Sequence, residues 1–171
     1  WEYEDKALSG NRGAACKYDL MSDEQIQNLP VNQISDKDSI LFLWATFPKI
    51  QEALDVIKAW GFEYKTVAFV WIKKNLNNSV FIGMGRWTRS NAEVVLLATK
   101  GKPKRLDAGI KQVIETIPKK HSQKPDIVRS KIIQLCGDLP RIELFARTKI
   151  HGWDVWGNDE NLNNKPLELY Q

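Results

Sequence analysis

The run His121-Ser122-Gln123-Lys124-Pro125-Asp126 sets an imidazole, a hydroxyl, an amide and an ammonium directly ahead of a proline. Proline is tolerated in the first turn of a helix, where its missing N–H costs nothing. PDIVRSKIIQLCG (125–137) has the spacing of such a helix, with Ile127, Ile132, Ile133 and Leu135 as apolar anchors and Gly137 as its stop. A helix start presents unpaired N–H groups and about half a unit of positive charge. Asp126, in the expected first turn, complements that charge. Lys124, just outside, does not, unless an anion lies between the lysine and the helix. Taken alone, the segment is more simply read as a helix capped by Ser122 or Gln123, with Lys124 in water.

The next segment adds a second cation. RIELFAR (141–147) is predicted as a strand, which puts Glu143 and Phe145 on one face and Arg147 at the carboxyl end. Open α/β sheets bind ligands outside the carboxyl ends of their strands. Lys124 and Arg147 could there hold one carboxylate, with Phe145 as an apolar wall. Asn158 and Asp159, after a further strand in WDVWGN (153–158), could hydrogen-bond a ribose or base. Singly, Glu143 is as well explained by a partner inside the sheet, and Phe145 by the core.

The elements that must carry these groups follow from periodicity. Ser22-Asp23-Glu24-Gln25 resembles a capping box opening a short helix that ends near Leu29-Pro30. SILFLWAT (39–46) is apolar enough for a strand buried on both faces. PKIQEALDVIKAWG (48–61) is an amphipathic helix stopped by Gly61, and FEYKTVAFVWIK (62–73) is the next strand. Residues 39–73 are therefore expected to form a parallel, right-handed strand–helix–strand crossover. Further strands are predicted in AEVVLLAT (92–99) and VIETI (113–117), separated by the basic turn GKPKRLDAG. Trp44, Trp60 and Trp71 lie on apolar faces and are expected in the core. Alternating strands and helices predict a layered α/β domain.

The chain has 171 residues, 43% of them hydrophobic, enough for one domain with a real core. No apolar run reaches the roughly 20 residues that span a bilayer, and no signal peptide opens the chain. A cytoplasmic location is expected, or a nuclear one in a eukaryote, with no membrane partner. Two cysteines and two histidines exclude a disulfide framework and any zinc-finger spacing. The net charge of +4 and a pI near 9.0 are a mild bias, and the lysines and arginines of 100–105 and 111–131 concentrate it. A polyanionic partner suits that distribution.

HSQKPD, the helix after it, IELFAR and WGN resemble, in that order, the C-terminal half of the MT-A70 family of adenine-N(6) methyltransferases. LFLWAT, AWGFEY and GMGRWTRSNAEVVLLATKGKP also fall in family order. The HSQKP run and the following strand are similar to the corresponding segments of β-class DNA amino-methyltransferases as well. The resemblance implies a Rossmann-like class I methyltransferase fold, three-layer α/β/α, permuted so that the catalytic motif precedes the cofactor motif. It implies one methyltransferase domain over 1–171 and S-adenosylmethionine as cofactor. Lys124 would meet the cofactor's carboxylate, and Arg147 and Asn158 match positions lining the same pocket. His121, Glu143, Phe145 and Asp159 also match cofactor-side positions.

The family's catalytic signature is Asp-Pro-Pro-Trp, and this chain begins at the Trp, in WEYED. Trp1 and Tyr3 match it, and the Asp-Pro-Pro is expected in an upstream segment, without which this polypeptide is expected to be inactive. The Asp side chain and the first Pro carbonyl would accept the two N–H bonds of the target amine and localise its lone pair. Trp1 would stack on the base, worth about 1–3 kcal/mol. GMGRWTRSN would be the substrate-side loop. Arg86 and Arg89 there would meet nucleic-acid phosphates or a second subunit, as homodimer or heterodimer, with Trp87 and Asn91 beside them. The implied reaction is methylation of adenine in nucleic acid. DNA comes first, on the compactness of the chain. RNA, or a non-catalytic nucleic-acid-binding scaffold, is the alternative.

Overall fold

In a computed structural model of the chain, residues 20–83, 85, 87–119, 123–157, 162 and 165–170 are described. Trp1, Tyr3, Arg86, His121, Asn158 and Asp159 lie outside them.

The elements in chain order are helices α1 (Asp23–Gln27) and α2 (Val31–Ile34), strand β1 (Ser39–Ala45) and helix α3 (Ile50–Ala59). Strands β2 (Glu63–Lys73), β3 (Ala92–Lys100) and β4 (Val113–Thr116) follow. Helix α4 (Ile127–Cys136) and strands β5 (Ile142–Leu144) and β6 (Asp154–Trp156) complete them. The architecture is mixed α/β. The chain packs as two compact units. One comprises Lys37–Ile57 and Phe62–Leu139; the other takes its described residues from Trp1–Asp36, Lys58–Gly61 and Pro140–Gln171.

The first unit is built on a four-stranded sheet in the order β1-β3-β2-β4. β1 and β2 both run antiparallel to β3, and β4 runs parallel to β2. β1 and β2 therefore point the same way, as a crossover requires, with β3 lying between them. The apolar run of β3 explains the choice: Val94, Val95, Leu96 and Ala98 are all buried, the pattern of a strand covered on both faces. SILFLWA instead forms the β1 edge, half-buried over Ser39–Trp44 rather than buried on both faces. Phe69, Trp71, Val95 and Ile114 form one face of the core with Val128 of α4, and Phe42, Trp44 and Ile132 pack against it.

Helix α4 starts at Ile127, two residues later than the proline suggests. Asp126 is its N-cap rather than a first-turn residue. The Asp126 carboxylate makes no cap bond. It accepts from Lys119 Nζ at 2.9 Å and Arg129 Nη1 at 2.8 Å. Val128 rather than Ile127 is the buried anchor, and Ile127 is 46% exposed. Gly137, at φ 92°, ends the helix as expected.

The second unit carries α1, whose capping box forms as expected: Ser22 Oγ accepts from Gln25 N–H at 3.1 Å, and Gln25 Oε1 accepts from Ser22 N–H at 2.8 Å. Trp60 is buried and donates from Nε1 to the Ile26 carbonyl at 2.9 Å. Strands β5 and β6 pair in parallel, with Glu143 opposite Val155. The strand expected over 141–147 stops at Leu144, because Phe145 turns into the left-handed region at φ 60°. Glu143 and Phe145 thus do not share a strand face. Gly157 permits the turn, since a Cβ there would lie 2.1 Å from the Ala146 carbonyl oxygen. Ala146 N–H then reaches the Trp156 carbonyl at 2.9 Å.

Candidate active site

The directions of β1, β2 and β4 bring their carboxyl ends, at Ala45, Lys73 and Thr116, to one edge of the sheet together with the amino end of β3. This is the edge at which α/β sheets bind ligands. Glu93 stands there, two residues before Val95 and so on the same face as the aromatic core. Its cross-strand partner is Trp71, and Trp44 is the partner of Val95.

Two ammonium groups converge on the Glu93 carboxylate. Lys73 Nζ donates to Oε1 at 2.7 Å, and Lys124 Nζ donates to Oε2. Each lysine also lies over an indole: Lys73 Nζ is 5.1 Å from the Trp71 ring centroid, and Lys124 Nζ is 5.2 Å from that of Trp44. Such cation–π contacts contribute about 0.5–2 kcal/mol each, more as water is excluded. The indoles meet edge to face at 6.0 Å, and Trp71 Nε1 donates to Thr116 Oγ1 at 2.8 Å. Burial pushes the Glu93 carboxyl up, but the charges and hydrogen bonds of Lys124 and Lys73 outweigh it and hold the group below the usual carboxylate range. Glu93 is therefore ionised at neutral pH and suits charge pairing rather than proton donation. Two cations against one carboxylate leave a surplus positive charge.

A cleft of about 210 Å³ opens beside this cluster, lined by Trp71, Thr116, Lys119, Gln123 and Lys124, by Pro125 and Asp126, and by Ile127 at the start of α4. A half-buried ammonium, an indole and a hydroxyl at its wall suit a ligand with an anionic end and an apolar or aromatic body.

Several residues singled out in the sequence take other places. Lys124 is at the cleft, and the anion it meets within the chain is the Glu93 carboxylate. Glu143 is half-buried at the centre of β5; Arg147 is exposed beyond that strand's end. Lys124 and Arg147 belong to different units. Phe145 is 40% exposed and packs edge to face on Trp156 at 5.8 Å. Trp87 is 99% exposed, so it is no anchor of its own loop. Arg89 is exposed beside it, and Asn91 ties the loop to the sheet by accepting from Lys73 N–H at 2.9 Å. Of the three expected core tryptophans, Trp60 and Trp71 are buried, whereas Trp44 is half-buried with Lys124 against its ring.

Sequence reasoning missed Glu93 and Lys73. The signals were present: a carboxylate at the head of an otherwise apolar strand needs a partner to be buried, and Trp71 and Lys73, two apart, must share a face.

Fold and site together define a mixed α/β protein whose four-stranded sheet carries an aromatic-walled cleft with two lysines at its carboxyl edge. The MT-A70 family model matches residues 1–159, and the chain belongs to that family. It is 40% identical over 146 residues to the Type II methyltransferase M.MunI of Mycoplasma sp, covering 84% of this chain and 60% of that protein. It is 33% identical over 133 residues to an N(6)-adenosine-methyltransferase MT-A70-like protein of Drosophila melanogaster, covering 76% of this chain and 22% of that protein. To the N(6)-adenosine-methyltransferase catalytic subunit METTL3 of Homo sapiens it is 29% identical over the same length, with 76% and 23% covered. The chain thus spans about three fifths of the first relative and under a quarter of the other two.

Proposed function

We propose that this chain is the S-adenosylmethionine-dependent methyltransferase domain of an enzyme that methylates the exocyclic amine of adenine in nucleic acid. Both compact units form one domain in this reading, since the family match runs through both. The fold is then the permuted, Rossmann-like class I sheet, with β1, β2 and β4 as its codirectional strands.

One observation carries the reading: Lys124, the lysine of the HSQKP run, stands at the cleft on the carboxyl edge of the sheet, with a surplus positive charge around it. That charge suits the carboxylate of S-adenosylmethionine, which supplies an electrophilic methyl group when bound. Lys124 would hold that carboxylate, and the walls of Trp71 and Thr116 would exclude water from it. The cofactor roles of His121, Glu143, Phe145, Arg147, Asn158 and Asp159, and the stacking of Trp1 with Tyr3 beside the target base, rest on the motif resemblance. Exposed Trp87 and Arg89, with Arg86 and Asn91, would meet the nucleic acid. DNA comes first in this reading, on the compactness of the chain. RNA is the second substrate, since the Drosophila and human relatives are named for adenosine, a ribonucleoside.

The test is transfer of labelled methyl from S-adenosylmethionine by the full-length protein to single- and double-stranded DNA and RNA of one sequence. Label on adenine N6 in DNA is expected. Label in RNA alone would exchange the substrates, and cofactor binding with no label in either would leave a scaffold.

A further inference from the structure

We propose that Lys73 is a positioning residue: it anchors one oxygen of Glu93 so that the other stays aimed at Lys124, and through that carboxylate it sets how tightly Lys124 holds an anionic ligand in the cleft. The methyltransferase reading enters only in naming that ligand as S-adenosylmethionine or its demethylated product.

Lys73 is fixed from three directions. Its backbone N–H is bonded to the Asn91 carbonyl at 2.9 Å, its Nζ lies 2.7 Å from Glu93 Oε1, and its ammonium rests 5.1 Å over the Trp71 ring. That ring is itself immobilised, being 3% exposed and bonded through Nε1 to Thr116. Lys124, by contrast, extends from the segment before α4 and reaches Glu93 across the edge of the cleft. Among the charged groups that hold Glu93 below its usual range, β2 supplies Lys73 and the segment before α4 supplies Lys124, while β1 contributes the uncharged Trp44 ring beneath Lys124.

The charge balance gives Lys73 its role. A lone Glu93–Lys124 pair is neutral and closed on itself. A ligand carboxylate must then draw Lys124 away from a half-buried carboxylate left without a partner, which is unfavourable. With Lys73 in place, Glu93 keeps a counter-ion whichever anion Lys124 faces, and the cluster keeps one positive charge for the ligand. Removing Lys73 weakens anion binding on both counts.

The test uses Lys73→Met, which keeps the stem over Trp71 and removes the charge. Side-chain NMR of the ligand-free protein follows the Glu93 carboxyl and the Lys124 side chain across the acid range. In Lys73→Met, Glu93 should protonate at higher pH than in the wild type and the Lys124 signals should move, while Lys73→Arg should titrate as the wild type does. Calorimetry with S-adenosylhomocysteine should then show binding about fivefold weaker in Lys73→Met. The cofactor KM should rise correspondingly, with no change in the KM for the oligonucleotide. An unchanged Glu93 titration overturns the proposal, as does a shifted titration with unchanged affinity. A wild type that does not bind S-adenosylhomocysteine fails the methyltransferase reading instead, and the ligand-free titration still decides the role of Lys73. If Lys73→Met does not fold, Lys73→Gln takes its place.

Discussion

Glu93 is a carboxylate at the head of a strand that is otherwise apolar, and it is kept there by Lys73 and Lys124. Glu93→Gln keeps the shape but leaves two ammonium groups without a counter-ion. It should cost about 1–3 kcal/mol, measured by urea unfolding at neutral pH. The pH dependence follows from the direction of the carboxyl's shift. Because its folded value lies below the ordinary 4.5, the unfolded chain takes up the proton first on acidification. The stability contributed by Glu93 is therefore complete above about pH 4.5 and is lost as pH falls through the folded value. Unfolding followed between pH 6 and pH 3 should show this loss in the wild type and less of it in Glu93→Gln. Lys124→Ala should weaken S-adenosylmethionine binding about tenfold to hundredfold by calorimetry, the effect of a hydrogen bond to a charged group; unchanged affinity would remove its carboxylate role.

Among the elements, the long periodic ones were legible and the short ones were not. α3 follows the apolar spacing of IQEALDVIKA and stops at Gly61, whose φ of 80° disfavours any Cβ. Gly61→Ala should lower stability by about 1–2 kcal/mol, visible as a lower midpoint of thermal unfolding. α1 was equally readable because its cap is local: Ser22 and Gln25 satisfy each other's backbone across three residues. β5 was over-extended, since RIELFAR alternates like a strand to its end. The left-handed turn at Phe145 depends on Gly157, twelve residues further on, and no local pattern announces it. The start of α4 was misplaced for a related reason. Lys119 and Arg129 take up the Asp126 side chain, so the residue that looks like a first-turn carboxylate serves as the N-cap position without capping.

For the molecule as a whole, the exposed loop that bears Trp87 and Arg89 separates stability from recognition. Trp87 is almost wholly exposed, so Trp87→Ala should change stability by less than about 0.5 kcal/mol. Stacking on a base would make the same substitution cost about 1–3 kcal/mol in oligonucleotide binding. Titration of a fluorescent oligonucleotide checks this, and unaltered binding would detach Trp87 from the substrate. Arg89→Ala should also reduce the salt dependence of that binding if its guanidinium meets a phosphate. Among the described residues, no helix is long and apolar enough to cross a membrane.

Residue types and order were enough to read the α/β class, the family motifs and Lys124 beside a helix start, because motifs and amphipathic periods are local properties of a chain. Tertiary structure alone decided that β3 inserts between β1 and β2, and hence that Glu93 arrives beside Lys73 and Lys124. Strand order follows from which apolar run can be buried on both faces, and that is a competition among segments far apart in sequence. The anion beside Lys124 was expected from outside the chain. The folded chain supplies one of its own, thirty-one residues earlier: the sequence marks Glu93 as a carboxylate in need of a partner, and only the fold decides which cations meet it.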